Sequence, residues 1–254
     1  MAIYITGDTH SDFIRFSTES FYEQKEMTKQ DENFVIICGD FGGVWYQEES
    51  KSEKWELDWL EDKPFTTLFV DGNHENFDRL ANYPMIRWNG GFVHVIRPHV
   101  LHLMRGQVFN IEDKTFFTFG GASSHDIHDG ILDSEDENWR EKAKALDKQH
   151  KYMYRIKGLS WWPQELPSQT EMDTGKFNLA KHGNKVDFII SHSPAASHIA
   201  LLGHGLYKQD ILTQYLEEIR NTTEYKRMFM GHMHINRAIN DKDICLYEQI
   251  IRIN

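Results

Sequence analysis

The residues that could do chemistry fall in five short blocks. They are Gly7-Asp8-Thr9-His10, Gly39-Asp40-Phe41-Gly42-Gly43, Asp71-Gly72-Asn73-His74-Glu75, Ser191-His192-Ser193-Pro194 and Gly231-His232-Met233-His234. Together they pool Asp8, His10, Asp40, Asn73, His192, His232 and His234, a set of imidazole, carboxylate and amide donors without a thiol. Such donors suit Mn, Fe, Zn, Co or Ni rather than a metal selected by thiolate. The set is too large for one structural zinc, which takes four ligands, and fits two ions that share a ligand. Two ions about 3.5–4 Å apart can clamp the attacking and leaving oxygens of a phosphoryl displacement. The chain has 14 His in 254 residues, and any one of them alone is as readily structural. Position, not number, carries the argument.

Position is set by what precedes each block. Residues 2–6, 34–38, 66–70, 186–190 and 227–230 are short apolar runs rich in strand formers, and nearly continuous runs of this kind suit strands covered on both faces. In open α/β sheets, ligands bind beyond the carboxyl ends of the strands, so donors far apart in sequence would meet at one rim. Gly precedes the donors in four blocks and lets the chain turn sharply there. Further strands are predicted at 92–96, 100–104, 107–111 and 115–119, the last two joined by a turn at Glu112-Asp113-Lys114. Residues 244–253 read as a closing pair of strands or one bent strand. Helices are predicted at 12–28 (Phe13, Phe16 and Phe21 on one side), 53–61 (Trp55, Trp59, Leu60), 76–82, 135–152, 169–181 with a stop at His182-Gly183, and 207–220 with Ile211, Leu212, Tyr215, Leu216 and Ile219 on one face. Strands alternating with helices make an α/β fold, with antiparallel pairs in the middle. The polar stretch 123–168 reads as an inserted cap or lid, or as a plain surface excursion. Its Trp161-Trp162 pair would pack a cap onto the core or stack a nucleobase.

Composition bounds the rest. A hydrophobic share of 40% supports a full core in one domain. A net charge of −11 makes a poor non-specific coat for nucleic acid, leaving nucleic acid only as a substrate held by a local site. Cys38 and Cys245 cannot form a disulfide framework. No apolar run reaches the length of a membrane span, and no targeting segment opens the chain. A soluble cytoplasmic protein is expected.

In this order, Asp8-x-His10, Gly39-Asp40, Gly72-Asn73-His74-Glu75, His192 and Gly231-His232-Met233-His234 resemble the five-block signature of calcineurin-like metallophosphoesterases, over residues 7–234. The resemblance implies a four-layer αββα sandwich of two mixed sheets flanked by helices. It implies a single domain over 1–254 with a cap or insert at about 121–170. It implies two divalent ions, Mn being the first guess: Asp8, His10 and His234 would hold one, Asn73, His192 and His232 the other, and Asp40 would bridge them. A hydroxide between the metals would attack in line. His74, with Asp40 one of the two catalytic residues, would face the substrate and assist the leaving group. Two divalent ions against the carboxylates of Asp8 and Asp40 would leave a locally positive centre able to hold an anionic phosphoester on an acidic protein.

The sequence also departs from one branch of the family. The phosphoprotein phosphatases continue Gly-Asp into Asp-Arg-Gly, whose Asp orients the catalytic His and whose Arg grips phosphate. Here Gly42-Gly43-Val44-Trp45 stands instead. The likeness is therefore to the phosphodiesterase-type and small prokaryotic branches, acting as phosphodiesterase or phosphomonoesterase on a small molecule or nucleotide. Glu75 or a residue of the insert is expected to orient His74. Gly120–Asp126 could place Ser123, His125 or Asp126 beside the metals. His125 and Arg237 are candidate substrate contacts, and Arg79 and Arg105 are either phosphate contacts or surface ion pairs. His94, His99, His102, His198 and His204 have no partner pattern. The rival readings are a nuclease or cyclic nucleotide phosphodiesterase, and a non-catalytic protein-binding module on the same fold.

Overall fold

The computed structural model describes residues 1–29, 32–203 and 207–254; His204 lies outside them. The strands are β1 (Ile3–Thr6), β2 (Phe34–Ile37), β3 (Thr66–Phe69), β4 (Met85–Trp88), β5 (Gly91–Arg97), β6 (Val100–Leu103), β7 (Gln107–Ile111), β8 (Lys114–Phe119), β9 (Gly130–Asp133), β10 (Tyr154–Lys157), β11 (Phe188–Ser191), β12 (Arg227–Met230), β13 (Arg237–Ala238), β14 (Asp243–Cys245) and β15 (Ile251–Arg252). The α-helices are α1 (Lys51–Glu61), α2 (Phe77–Asn82), α3 (Trp139–Lys148), α4 (Gln169–Lys181), α5 (Ala196–Leu202) and α6 (Ile211–Thr222).

Two mixed sheets result. One runs β15-β1-β2-β3-β6-β5-β4, parallel from β1 to β6 with antiparallel edges. The other runs β13-β14-β12-β11-β8-β7, parallel from β14 to β8. Three apolar layers bind four structural ones. Ile3, Ile5, Ile36 and Leu68 of the first sheet meet Phe109, Phe116, Ile190 and Phe229 of the second. Tyr4, Val35, Ile37 and Phe69 face Leu57 and Leu60 of α1 on one outer side, and Phe117, Ile189 and Met228 face Leu179, Tyr215 and Leu216 of α4 and α6 on the other. This is the four-layer sandwich of two mixed sheets expected from the sequence. β1, β2 and β11 bury every residue on both faces, which is why they read as nearly continuous apolar runs rather than alternating ones.

Several elements differ from expectation. Residues 12–28 form two short 3-10 turns, Ile14–Phe16 and Tyr22–Glu26, and no α-helix. The Gln24 side-chain amide donates to the carbonyls of Phe16, Ser17 and Phe21 at 2.9–3.0 Å, taking acceptors that a continuous helix would use for its own ladder. Phe13, Phe16 and Phe21 are still buried. In α1, Trp59 is part-buried and Leu57 and Leu60 are buried, but Trp55 points out, 67% exposed. The helix predicted over 135–152 is confined to α3. The expected closing pair at 244–253 is β14 and β15, which lie in different sheets. α4 matches its prediction: Ser168 caps it through a reciprocal box with Glu171, and it stops at Gly183 with φ +65°. The turn at Glu112 and Asp113 has both residues left-handed, as a two-residue hairpin requires.

Candidate metal centre

β1, β2 and β3 of one sheet and β11 and β12 of the other deliver the five blocks to a common rim. The two sheets can converge there because glycine occupies the tight points. A Cβ on Gly231 would stand 2.0 Å from Asp8 Oδ1, and one on Gly39, whose φ is +92°, would stand 2.3 Å from the His192 ring. His10, Asp40, His232 and His234 themselves have φ between 44° and 66°. Left-handed backbone in a non-glycine residue costs about 1–3 kcal/mol and collects where function demands it.

The donors converge in two overlapping groups. Ligand atoms of Asp8, His10, Asp40 and His234 all lie within 4.8 Å of one another, and so do those of Asp40, His192 and His232. Asp40 belongs to both. His10 Nε2 is 2.9 Å from His234 Nε2, and His234 Nε2 is 3.2 Å from Asp8 Oδ2. Asp8 also accepts the His232 N–H at 3.0 Å, and Asp40 Oδ1 accepts the His74 N–H at 2.8 Å.

The donor atoms fit divalent cations. His192 is wholly buried; its Nδ1 donates to the Cys38 carbonyl at 2.8 Å. That bond turns Nε2 inward, where it stands 3.3 Å from Asp40 Oδ1 outside hydrogen-bond geometry. Asn73 repeats the pattern. Its Nδ2 donates toward Ser124 Oγ at 3.4 Å, and its buried Oδ1 has no partner. A buried acceptor left unpaired is costly, and a cation satisfies both atoms. The electrostatics agree. Burial alone would strip His192 of its proton, yet the carboxylates of Asp40 and Asp8 hold its pKa up to about 10. A field that favours a proton so strongly also favours a metal ion.

Residues that the sequence did not single out complete the surroundings. Arg155, on β10 of the insert and 7% exposed, places Nη2 3.0 Å from His74 Nε2. Its Nε donates to Asp126 at 2.6 Å and its Nη1 to the Ser160 carbonyl at 2.9 Å. A guanidinium can only donate, so His74 Nε2 accepts and the ring proton sits on Nδ1. Burial first, then Arg155 and His10, outweigh Asp40 and lower the His74 pKa to about 4. The side chain that hydrogen-bonds the His74 ring thus comes from the polar 123–168 stretch. Glu75 instead accepts the Phe41 N–H at 2.7 Å and braces the Asp40 loop. Arg15 braces the first block, donating to the carbonyls of Asp8 at 2.7 Å and Tyr247 at 2.6 Å.

His125 Nε2 lies 2.7 Å from His232 Nε2, at the edge of the second group. Asp126 acts through Arg155, and Ser123 bonds Asp210 rather than a donor. Arg237 is exposed on edge strand β13 and makes no hydrogen bond or ion pair with a site residue among the described residues. Arg105 and Arg79 are not surface residues. Arg105 is buried against Asp71, and the part-buried Arg79 pairs with Glu53. Trp162 is 1% exposed, bonds Asp78 and lies edge-on to Trp45, so it is packed in the interior and is not free to stack a nucleobase. His94 and His102 bond each other, while His99 and His198 meet Glu61 and Asp243.

Glu165 of the insert accepts the Ser124 hydroxyl at 2.7 Å and N–H at 3.1 Å, so it orients Asn73 at one remove. Burial, opposed by those bonds, raises its pKa to about 8. The folded state therefore holds a proton that the unfolded chain releases near pH 4.5. Stability should fall as pH rises between about 4.5 and 8, by up to about 1.4 kcal/mol per pH unit from this group. Glu165→Gln keeps the shape without the titration, and urea midpoints from pH 5 to 8 should decline less steeply in the variant. Parallel slopes in the two proteins would contradict this.

A sequence profile of the calcineurin-like phosphoesterases matches residues 1–236, and the chain belongs to that family. No curated protein sequence matches it. The family acts on phosphoesters and uses divalent metals, and the Asp/His groups here could hold them. No helix among the described residues is long and apolar enough to cross a membrane.

Proposed function

We propose that this protein hydrolyses phosphoester bonds with two divalent ions. Asp8, His10, Asp40 and His234 would hold one ion, and Asp40, Asn73, His192 and His232 the other, with Mn the first candidate. The carrying observation is that Asp40 is common to both donor groups, while His192 Nε2, 3.3 Å from Asp40 Oδ1, and Asn73 Oδ1 are buried without a hydrogen bond. When bound, the ions would supply Lewis acidity and an activated water.

The protein's own groups do the rest. His74 lies in neither donor group and is held flat against Trp45, with ring centroids 5.7 Å apart, where it faces the incoming ester. A phosphoryl oxygen beside His74 Nε2 is also within reach of Arg155 Nη2. As the guanidinium turns from imidazole to phosphate, His74 loses a cationic neighbour and gains an anionic one, and both changes favour its protonated form. His74 can then donate to the leaving oxygen. Arg155 would thereby supply from the insert the phosphate grip that Gly42-Gly43-Val44-Trp45 cannot, which supports a phosphodiesterase-type rather than a protein phosphatase reading. The segment 121–170 would serve as a cap within one domain. The free buried thiols of Cys38 and Cys245 suit a reducing, cytoplasmic setting.

The test is to reconstitute the protein with Mn, count bound ions by elemental analysis, and assay bis(p-nitrophenyl) phosphate against p-nitrophenyl phosphate. Two ions and turnover of either ester support the proposal, and a loaded protein inert to both defeats it. Arg155→Ala should keep its metals and lose about 10–100-fold in kcat/KM, the value of a charge-assisted hydrogen bond. Added guanidinium should restore part of the rate, and Arg155→Lys should restore less than native activity because lysine lacks the planar fork. An undiminished rate in Arg155→Ala would remove the grip from the mechanism.

A further inference from the structure

A cleft of about 280 Å³ opens beside the metal centre. It is lined by His10 and His74, by an aromatic wall of Trp45 and Tyr46, and by Ser11, Ser52 and Glu56. The aromatic wall is held in place by a buried carboxylate. Glu53, 2% exposed, accepts the N–H groups of Trp45 at 2.6 Å, Tyr46 at 3.1 Å and Ser50 at 2.8 Å, and pairs with Arg79 at 2.9 Å. Its charge is thereby spent inside the wall.

Glu56 differs. Among the described residues its carboxylate receives one hydrogen bond, from Ser11 Oγ at 2.6 Å, and has no cationic partner. The cleft thus offers an exposed tyrosine ring, the indole of Trp45 and one uncompensated carboxylate. A carboxylate facing a substrate accepts from hydroxyl or amino groups, as acidic residues do from ribose hydroxyls in nucleotide sites, and it repels a second phosphate. The volume sits just under the about 300–1,000 Å³ typical of small-molecule sites, enough for one ring system.

We propose that this cleft receives the ester group of the substrate, and that this group is a neutral or cationic hydroxylated ring of about nucleoside size that donates to Glu56. The proposal rests on the hydrolase reading for its reaction, though not for its binding. A phosphoryl group at the metal centre would project its leaving oxygen past His74, and the cleft begins there.

The test has two arms. In the first, adenosine is titrated calorimetrically into the metal-loaded protein and into Glu56→Gln. Binding that weakens about tenfold in the variant, as loss of a charge-assisted hydrogen bond predicts, supports the proposal. No binding to the native protein at millimolar adenosine, or equal binding by both proteins, overturns it whether or not the protein is a hydrolase. In the second, kcat/KM is compared for adenosine 5′-phosphate and phenyl phosphate, each also as its methyl diester. Glu56→Gln should lower the adenosyl-to-phenyl ratio about tenfold, and Glu56→Lys should raise the relative rate on an ester carrying a second phosphate. Unchanged ratios in an active protein overturn the cleft assignment and leave the hydrolase reading standing. Inactivity on every ester, with adenosine bound through Glu56, defeats the hydrolase reading alone.

Discussion

Asp40→Asn is expected to lose both metal ions together. Elemental analysis of the purified variant should show parallel depletion, and turnover of bis(p-nitrophenyl) phosphate should fall by about 10³-fold or more. The magnitude follows from the several kcal/mol that metal Lewis acidity contributes, each 1.4 kcal/mol being about tenfold. Asp40 is the residue shared by the two donor groups, and it is buried with its carboxyl held well below the ordinary range, because His192, His74 and His10 override the effect of burial. Asparagine keeps an oxygen to accept the His74 N–H, which Asp40 Oδ1 now takes at 2.8 Å, so the loop should survive. What disappears is the charge that two cations would share. Retention of one ion at native stoichiometry would make Asp40 a ligand of a single metal, and retention of both would remove it from the centre.

His74→Asn is expected to do the reverse, keeping the metals and losing the chemistry. General acid assistance is typically worth about 10²–10⁴-fold, and the loss should be greatest for an alkyl ester, whose leaving oxygen most needs a proton. The His74 ring packs edge-on against His10 with centroids 4.8 Å apart and meets Arg155 through Nε2, so it stands beside the donors without joining them. An unchanged kcat on a methyl diester would exclude it.

The donors were legible in the sequence because each is local to a strand end. An apolar run, a glycine and a polar side chain within a few residues specify both position and chemistry; the runs by themselves show only an α/β fold, and the two-sheet sandwich is what the family resemblance implies. Arg155, Ser124 and Glu165 left no such trace. Arg155 is 81 residues from His74, and Glu165 is 41 from Ser124; both lie in a polar insert whose periodicity says nothing about its inner face. The structural histidines were opaque for the same reason. His198 Nε2 meets Asp243, 45 residues away. The failed helix at 12–28 turned on one side chain, Gln24, capturing backbone carbonyls, a competition that propensity does not register.

The stretch 237–254, beyond the family match, builds the edge of both sheets and touches the first donor block. β15 pairs with β1, the Tyr247 carbonyl accepts from the Gly7 N–H at 3.1 Å and from Arg15 at 2.6 Å, and the Tyr247 ring stacks on His234 with centroids 4.8 Å apart. The first donor block is thus braced twice: the Asp40 and Phe41 carbonyls take the N–H groups of Thr9, His10 and Ser11, and Tyr247 closes over it from far along the chain, a contact whose loop-closure entropy makes it slow to form.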